Sequence, residues 1–62
     1  MFKENLKQLR IEMKFTQTQL AKLLNVSFKT ISHWENGYSE PNIQQIILLK
    51  NLFKVSYEEI LE

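Results

Sequence analysis

Residues 16–37 read TQTQLAKLLNVSFKTISHWENG, and this stretch decides the fold. It holds two short apolar patterns at helical spacing, each preceded by a residue that can cap a helix, Thr16 and Ser27. The break between them, at Asn25 and Val26, leaves room only for a tight turn. Two helices joined this closely cross steeply and form a helix-turn-helix, whose second helix can enter a DNA groove.

The composition indicates one small, helical, globular unit. Sixty-two residues make a single domain, 1–62, and 44% hydrophobic residues with one Gly and one Pro argue against disorder. Without Cys there is no disulfide framework and no thiolate zinc site. The longest apolar run, residues 46–49, is too short for a membrane span, and no signal peptide is visible. We therefore expect a cytoplasmic protein with no membrane partner.

Charge is divided unevenly along the chain. Residues 1–33 carry six basic and two acidic side chains, a net +4, whereas residues 34–62 carry two basic and five acidic side chains, a net −3. The first half could therefore face phosphates and the second half would not. Ordinary solvated helix faces would give the same distribution, so charge alone does not choose between the two interpretations.

Helix start signals divide the chain into five segments. Capping boxes are predicted for Thr16 with Gln19, Asn42 with Gln45 and Ser56 with Glu59, and a cap alone for Ser27. The predicted helices cover residues 2–13, 17–24, 28–36, 43–53 and 57–61, with Asn25 left-handed and Gly37 ending the third. No strand pattern is present, which predicts an all-α fold with one shared core.

Apolar spacing predicts the residues that form this core. They are Phe2, Leu6, Leu9, Met13, Leu20, Ala21, Leu24, Ile31, Trp34, Ile43, Ile46, Ile47, Leu49 and Phe53. On the third helix, Ile31 and Trp34 fall on one side. The opposite side is polar and carries Lys29, Ser32, His33 and Asn36. Such donors suit base edges, although a polar face that simply meets water is the alternative.

The motifs of this chain resemble those of a known family. The matching segments are TQTQLA (16–21), NVS (25–27), TIS (30–32), WENG (34–37), Pro41 and residues 55–61. They resemble the lambda-repressor-like, Cro-type helix-turn-helix domain of the XRE family over nearly the whole chain. The resemblance implies a compact five-helix DNA-binding domain with the third helix as its recognition helix.

The resemblance also implies roles for individual residues. Base reading falls to Phe28, Lys29 and His33. Phosphate contacts fall to Gln17, Ser27, Thr30, Ser32, Asn36 and Asn42. Gln17 is also expected to brace the recognition helix, and Arg10 and Glu35 to form a structural ion pair. The periodicity agrees with that pair, because Glu35 lies near the inward side of its helix, where an unpaired charge is costly.

Phe28 departs from the family pattern. A polar side chain is more usual there, and Phe cannot form a side-chain hydrogen bond. It either contacts a thymine methyl group or packs locally, and the sequence leaves both open. Tyr38 and Glu40 make the following loop less basic than in many relatives, which weakens the expectation of phosphate contact there.

The sequence therefore predicts a sequence-specific transcriptional regulator, a repressor, that binds double-stranded DNA. We expect a homodimer on a near-palindromic operator, joined through exposed apolar residues such as Leu48 or Leu61. An antitoxin or protein-interaction adaptor with the same fold is the alternative. No enzyme, cofactor or metal site is predicted, since there is no nucleophile–base arrangement and His33 is the only His.

Overall fold

Residues 2–62 are described by the computed structural model, and they form five α-helices and no strands. The bounds are α1 (Phe2–Glu12), α2 (Gln17–Leu24), α3 (Phe28–Asn36), α4 (Ile43–Phe53) and α5 (Tyr57–Leu61). The predicted all-α, five-helix architecture is confirmed. Only the first helix differs, since it ends at Glu12 rather than at Met13.

Side-chain caps fix where α2 to α5 begin. At Thr16 the hydroxyl accepts from the N–H of Gln19 at 3.0 Å, and the Gln19 amide oxygen accepts from the N–H of Thr16 at 2.8 Å. Equivalent boxes form at Asn42 and Ser56, whereas Ser27 supplies a cap alone. Each cap stabilises its helix by about 1 kcal/mol. The four predicted start signals are thus confirmed.

Four residues after the first four helices adopt the left-handed conformation. They are Lys14 (φ 61°), Asn25 (φ 57°), Gly37 (φ 78°) and Lys54 (φ 57°). The sequence predicts this for Asn25, because Asn tolerates positive φ. Gly37 adopts it readily, since Gly has no Cβ to clash. It was not expected for the two Lys residues, where the conformation costs about 1 kcal/mol each.

Every helix contributes to one hydrophobic core. The buried core residues are Leu6, Leu20, Ala21, Leu24, Ile31, Trp34, Leu49, Phe53 and Ile60. Phe2 and Leu9 pack against this core while half-buried. The core therefore holds the α2–α3 pair between α1 on one side and α4 on another.

Three predicted core positions are wrong. Met13 is exposed because α1 has ended before it, and the chain turns at Lys14. Ile47 is exposed because it lies about 100° around α4 from the buried Ile46. Ile43 is 70% exposed, since it borders an open groove at the start of α4.

Candidate nucleic-acid interface

One buried carboxylate attaches α3 to the two preceding helices. The Arg10 guanidinium donates from Nε to Glu35 Oε2 at 2.6 Å and from Nη2 to Glu35 Oε1 at 3.1 Å. From the start of α2, Gln17 Nε2 donates to the same Oε1 at 3.0 Å. A third Arg10 nitrogen, Nη1, donates to the carbonyl oxygen of Phe15 at 2.9 Å. Helices α1, α2 and α3 and the α1–α2 connection are therefore held in one arrangement.

The ion pair is almost completely removed from solvent. The exposed fractions of the side chains are 11% for Arg10 and 3% for Glu35. Each charge is costly to bury alone, but here every buried side-chain nitrogen or oxygen in residues 2–62 has a hydrogen-bond partner. The family resemblance implied this pair, and the inward position of Glu35 agreed with it. It did not indicate the carbonyl of Phe15 as a further partner of Arg10.

The outward side of α3 is polar, while its inward side is buried. Ile31 and Trp34 face the core. Lys29 and Asn36 are exposed and Ser32 and His33 are half-buried on the other side. A helix about 10–12 Å across fits a DNA major groove about 12 Å wide. The geometry of α3 therefore permits insertion with its polar side toward base edges.

Several polar side chains near this surface form hydrogen bonds within α3 or with its N-cap. Asn36 Nδ2 donates to the carbonyl oxygen of Ser32 at 2.8 Å and reaches its Oγ at 3.3 Å. The hydroxyls of Ser27 and Thr30 share a hydrogen bond of 2.9 Å at the first turn. The side chains of Asn36, Ser27 and Thr30 are therefore engaged in local hydrogen bonds.

His33 is packed against a residue beyond the helix. Its ring meets the ring of Tyr38 edge-to-face, with centroids 5.7 Å apart and planes at 74°. Helical periodicity does not predict this contact, because Tyr38 lies after the chain reversal at Gly37. An aromatic residue immediately after a predicted Gly cap was the available indication.

Phe28 borders a shallow cleft at the start of α3. Residues of the α1–α2 connection and the first turn of α2 line the other side, among them Lys14, Gln17 and Thr18. The Phe28 side chain is 53% exposed. The cleft brings Arg10, Gln17 and Phe28 together, whereas Asn42 is not among its lining residues. Asn42 caps α4 through its Oδ1, which accepts from the N–H of Gln45 at 2.8 Å.

Neither a metal-binding cluster nor a membrane-spanning helix is found among the described residues. Residues 2–62 contain no group of three or more His, Asp or Glu side chains placed to hold a metal ion. In the same range, no helix has the length and apolar character needed to cross a membrane.

Sequence comparisons identify relatives of this chain. A family model described as Helix-turn-helix matches residues 6–60. The HTH-type transcriptional activator BcrR of Enterococcus faecalis is 42% identical over 60 residues, which cover 97% of this chain and 29% of BcrR. Antitoxin PezA of Streptococcus pneumoniae serotype 4 is 33% identical over 60 residues, which cover 97% of this chain and 38% of PezA.

A solved structure agrees with the sequence matches. The crystal structure of a transcriptional regulator from Listeria innocua superposes with a TM-score of 0.92 at 35% identity. The match covers 97% of this chain and 56% of that one. This chain therefore spans less than two thirds of the length of each of these relatives, and the similarity concerns their helix-turn-helix portion.

Proposed function

This chain belongs to the XRE family of helix-turn-helix domains, and from that membership we propose that residues 1–62 form the sequence-specific DNA-binding domain of a transcription regulator. One observation carries the proposal. The inner side of α3 is fixed by the core and by Glu35, which leaves its polar outer side free for a partner. That partner is double-stranded DNA, read in the major groove by α3.

Base readout is assigned to three residues on the outer side of α3. Lys29, which is exposed, donates to guanine O6 and N7. His33 donates to or accepts from a base edge, and Phe28 contacts a thymine methyl group. The exposure of Phe28 supports this role, since more than half of its side chain is available to a ligand.

Phosphate contacts set the register of the domain on the duplex. They are assigned to Gln17, Ser27, Thr30, Ser32, Asn36 and Asn42. The Gln17 amide has two N–H donors, and the contact with Glu35 uses one of them. Its other donor is therefore available to a phosphate, so that one side chain both braces α3 and contacts the backbone. The cap at Asn42 uses Oδ1 and leaves the Nδ2 donors outside the cap.

Duplex binding at several salt concentrations tests the proposal. We expect affinity for random duplex DNA to fall as salt rises, because binding to phosphates releases counterions. Selection from random duplexes, followed by sequencing, should then yield a defined half-site. Absence of salt-dependent binding would contradict any DNA-binding role. Salt-dependent binding with no enriched sequence would contradict base readout but not DNA binding itself.

We further propose that the domain acts as a homodimer on a near-palindromic operator. Half-site centres should lie about 34 Å apart or a multiple of that distance. Leu48 and Leu61 are both exposed, and Leu61 borders an open groove together with Phe2 and Ile43. Analytical ultracentrifugation with and without operator tests this. A monomer at micromolar concentration under both conditions contradicts it.

Repression is the proposed direction of regulation. A protein bound across a promoter excludes polymerase without needing any further contact. A reporter fused to the selected operator should therefore gain expression when the gene for this chain is deleted. A loss of expression would instead indicate activation, which is the direction in the name of the relative BcrR.

An antitoxin or protein-interaction adaptor is the second candidate. The similarity to antitoxin PezA over 97% of this chain favours it. The two roles are compatible, since one surface can bind DNA while another binds a protein. Capture of a protein encoded by the neighbouring gene would support this role. Duplex binding that is unchanged by that protein, with no complex detected, would count against it.

A further inference from the structure

Tyr38 is joined to His33 in two ways. The two rings meet edge-to-face with centroids 5.7 Å apart. The backbone N–H of Tyr38 also donates to the carbonyl oxygen of His33 at 2.9 Å. Tyr38 therefore contacts His33 through both its ring and its backbone.

The reversal at Gly37 creates this arrangement. Gly37 has a φ of 78°, and its N–H points to the carbonyl oxygens of His33 and Trp34. A left-handed residue at this position turns the chain back over the last turn of the helix. The Tyr38 side chain is nevertheless 78% exposed, so it is not part of the hydrophobic core. The backbone turn therefore sets the position of Tyr38, and the ring of Tyr38 meets that of His33 outside the core.

We infer that Tyr38 is a positioning residue that sets the base preference contributed by His33. This inference rests on the proposed function. An imidazole without a neighbour samples several staggered rotamers, and ordering it on DNA costs conformational entropy. The edge-to-face contact favours one orientation of the imidazole before DNA arrives. Tyr38 therefore increases discrimination at the base pair that His33 reads, without itself contacting that pair.

A comparison of five proteins tests the inference on the selected duplex and its single base-pair substitutions. The proteins are wild type, His33→Ala, Tyr38→Ala, Tyr38→Phe and the His33→Ala/Tyr38→Ala double variant. His33→Ala identifies the base pair concerned. At that pair, Tyr38→Ala should lower the affinity ratio between preferred and substituted duplexes by about two- to tenfold, the range of an aromatic pair contact. Tyr38→Phe should keep the ratio, and the double variant should match His33→Ala.

Three results would overturn the inference. Equal weakening of all duplexes by Tyr38→Ala would show a phosphate contact instead. A Tyr38→Phe variant as impaired as Tyr38→Ala would assign the effect to the hydroxyl group. Unchanged affinity of Tyr38→Ala for every duplex would show that the ring contact has no part in DNA binding.

A measurement on the free protein separates this inference from the proposed function. The chemical shifts and χ1 couplings of His33 are compared by NMR in wild type and Tyr38→Ala, with thermal unfolding to verify that both are folded. We expect ring-proton shifts and rotamer averaging in the variant. An unchanged His33 rotamer overturns the positioning role. Failure of the wild type to bind any duplex would instead overturn the proposed function, and with it the effect on specificity.

Discussion

Helices α3 and α4 bury similar apolar stripes but present very different surfaces to solvent. The exposed side of α3 carries Lys29 and Asn36, whereas α4 exposes Ile43, Ile47 and Leu48. Polar donors suit a nucleic acid, and an apolar patch suits another protein surface. One small core thus supports two chemically distinct faces. The comparison predicts that substitutions on α3 affect DNA binding and that substitutions on α4 affect self-association.

The largest expected effect comes from removing the anchor of α3. Arg10→Ala leaves Glu35 buried with only Gln17 as a partner, and loss of one member of a buried pair costs about 3–5 kcal/mol. A domain of this size has a free energy of unfolding of about 3–9 kcal/mol. We therefore expect Arg10→Ala to lose at least about a third of its free energy of unfolding, measured in urea titrations followed by circular dichroism.

A paired substitution provides the control for this prediction. Arg10→Met combined with Glu35→Leu removes both charges, and it should recover most of the lost stability because no charge remains buried alone. If Arg10→Ala is as stable as wild type, the pair does not anchor α3. The contrast between the exposed surfaces of α3 and α4 would then not depend on this ion pair.

The next largest effect concerns base discrimination. Lys29→Ala should reduce discrimination at one base pair by about 1–3 kcal/mol, as expected for loss of a good base contact. Lys50→Ala removes the same charge from α4 and should leave base preference unchanged. Gln17→Ala should weaken binding similarly across sequences. Competition binding with substituted duplexes distinguishes these outcomes, and equal weakening of all duplexes by Lys29→Ala would make Lys29 a phosphate contact.

The residues that follow α3 and α4 allow a test with a smaller expected change in stability. Gly37 directly follows α3 and Lys54 directly follows α4, both with positive φ. Lys54→Gly should raise the free energy of unfolding by about 1 kcal/mol, because Gly lacks the Cβ clash. Gly37→Ala should lower it by a similar amount, and its new Cβ would also stand 3.2 Å from Cδ of Lys3. Thermal unfolding measures both changes, and a destabilising Lys54→Gly would contradict this account.

The smallest effect on stability is expected on the exposed side of α4. Ile43→Ser should change the free energy of unfolding by no more than about 0.5 kcal/mol, because the side chain is mostly exposed. It should nevertheless weaken self-association in sedimentation experiments if this groove joins two copies. Gln44→Ser is the matched control and should alter neither property. Unchanged association of Ile43→Ser would remove the groove from the proposed interface.

Local chemistry explains which parts of the fold the sequence could predict. Thr16, Ser27, Asn42 and Ser56 marked helix starts because a cap acts over three residues that are adjacent in sequence. Ile43 and Ile47 were misplaced because apolar spacing does not show which side of α4 another element covers. The left-handed conformations of Lys14 and Lys54 had no signal in the residue type.

The candidate site was predictable to a similar extent. The inward position of Glu35 indicated a buried charge and therefore a partner, and the family resemblance pointed to Arg10. The His33–Tyr38 contact could not be predicted from helical periodicity, since it joins residues across the reversal at Gly37. Contacts formed across a turn depend on the path of the chain, which periodicity does not describe.

Because α3 is attached to the fold through Glu35, substitutions on its outer side can change binding preference without disturbing that attachment. The groups that orient α3 lie on its inner side and come from other helices. Phe28 and Lys29 are exposed, and substitutions at exposed positions typically change stability by about 0.5 kcal/mol or less. A library randomised at these two positions should therefore consist mostly of folded proteins. Under the proposed function, gene duplicates of this chain could acquire new DNA preferences while keeping the same scaffold.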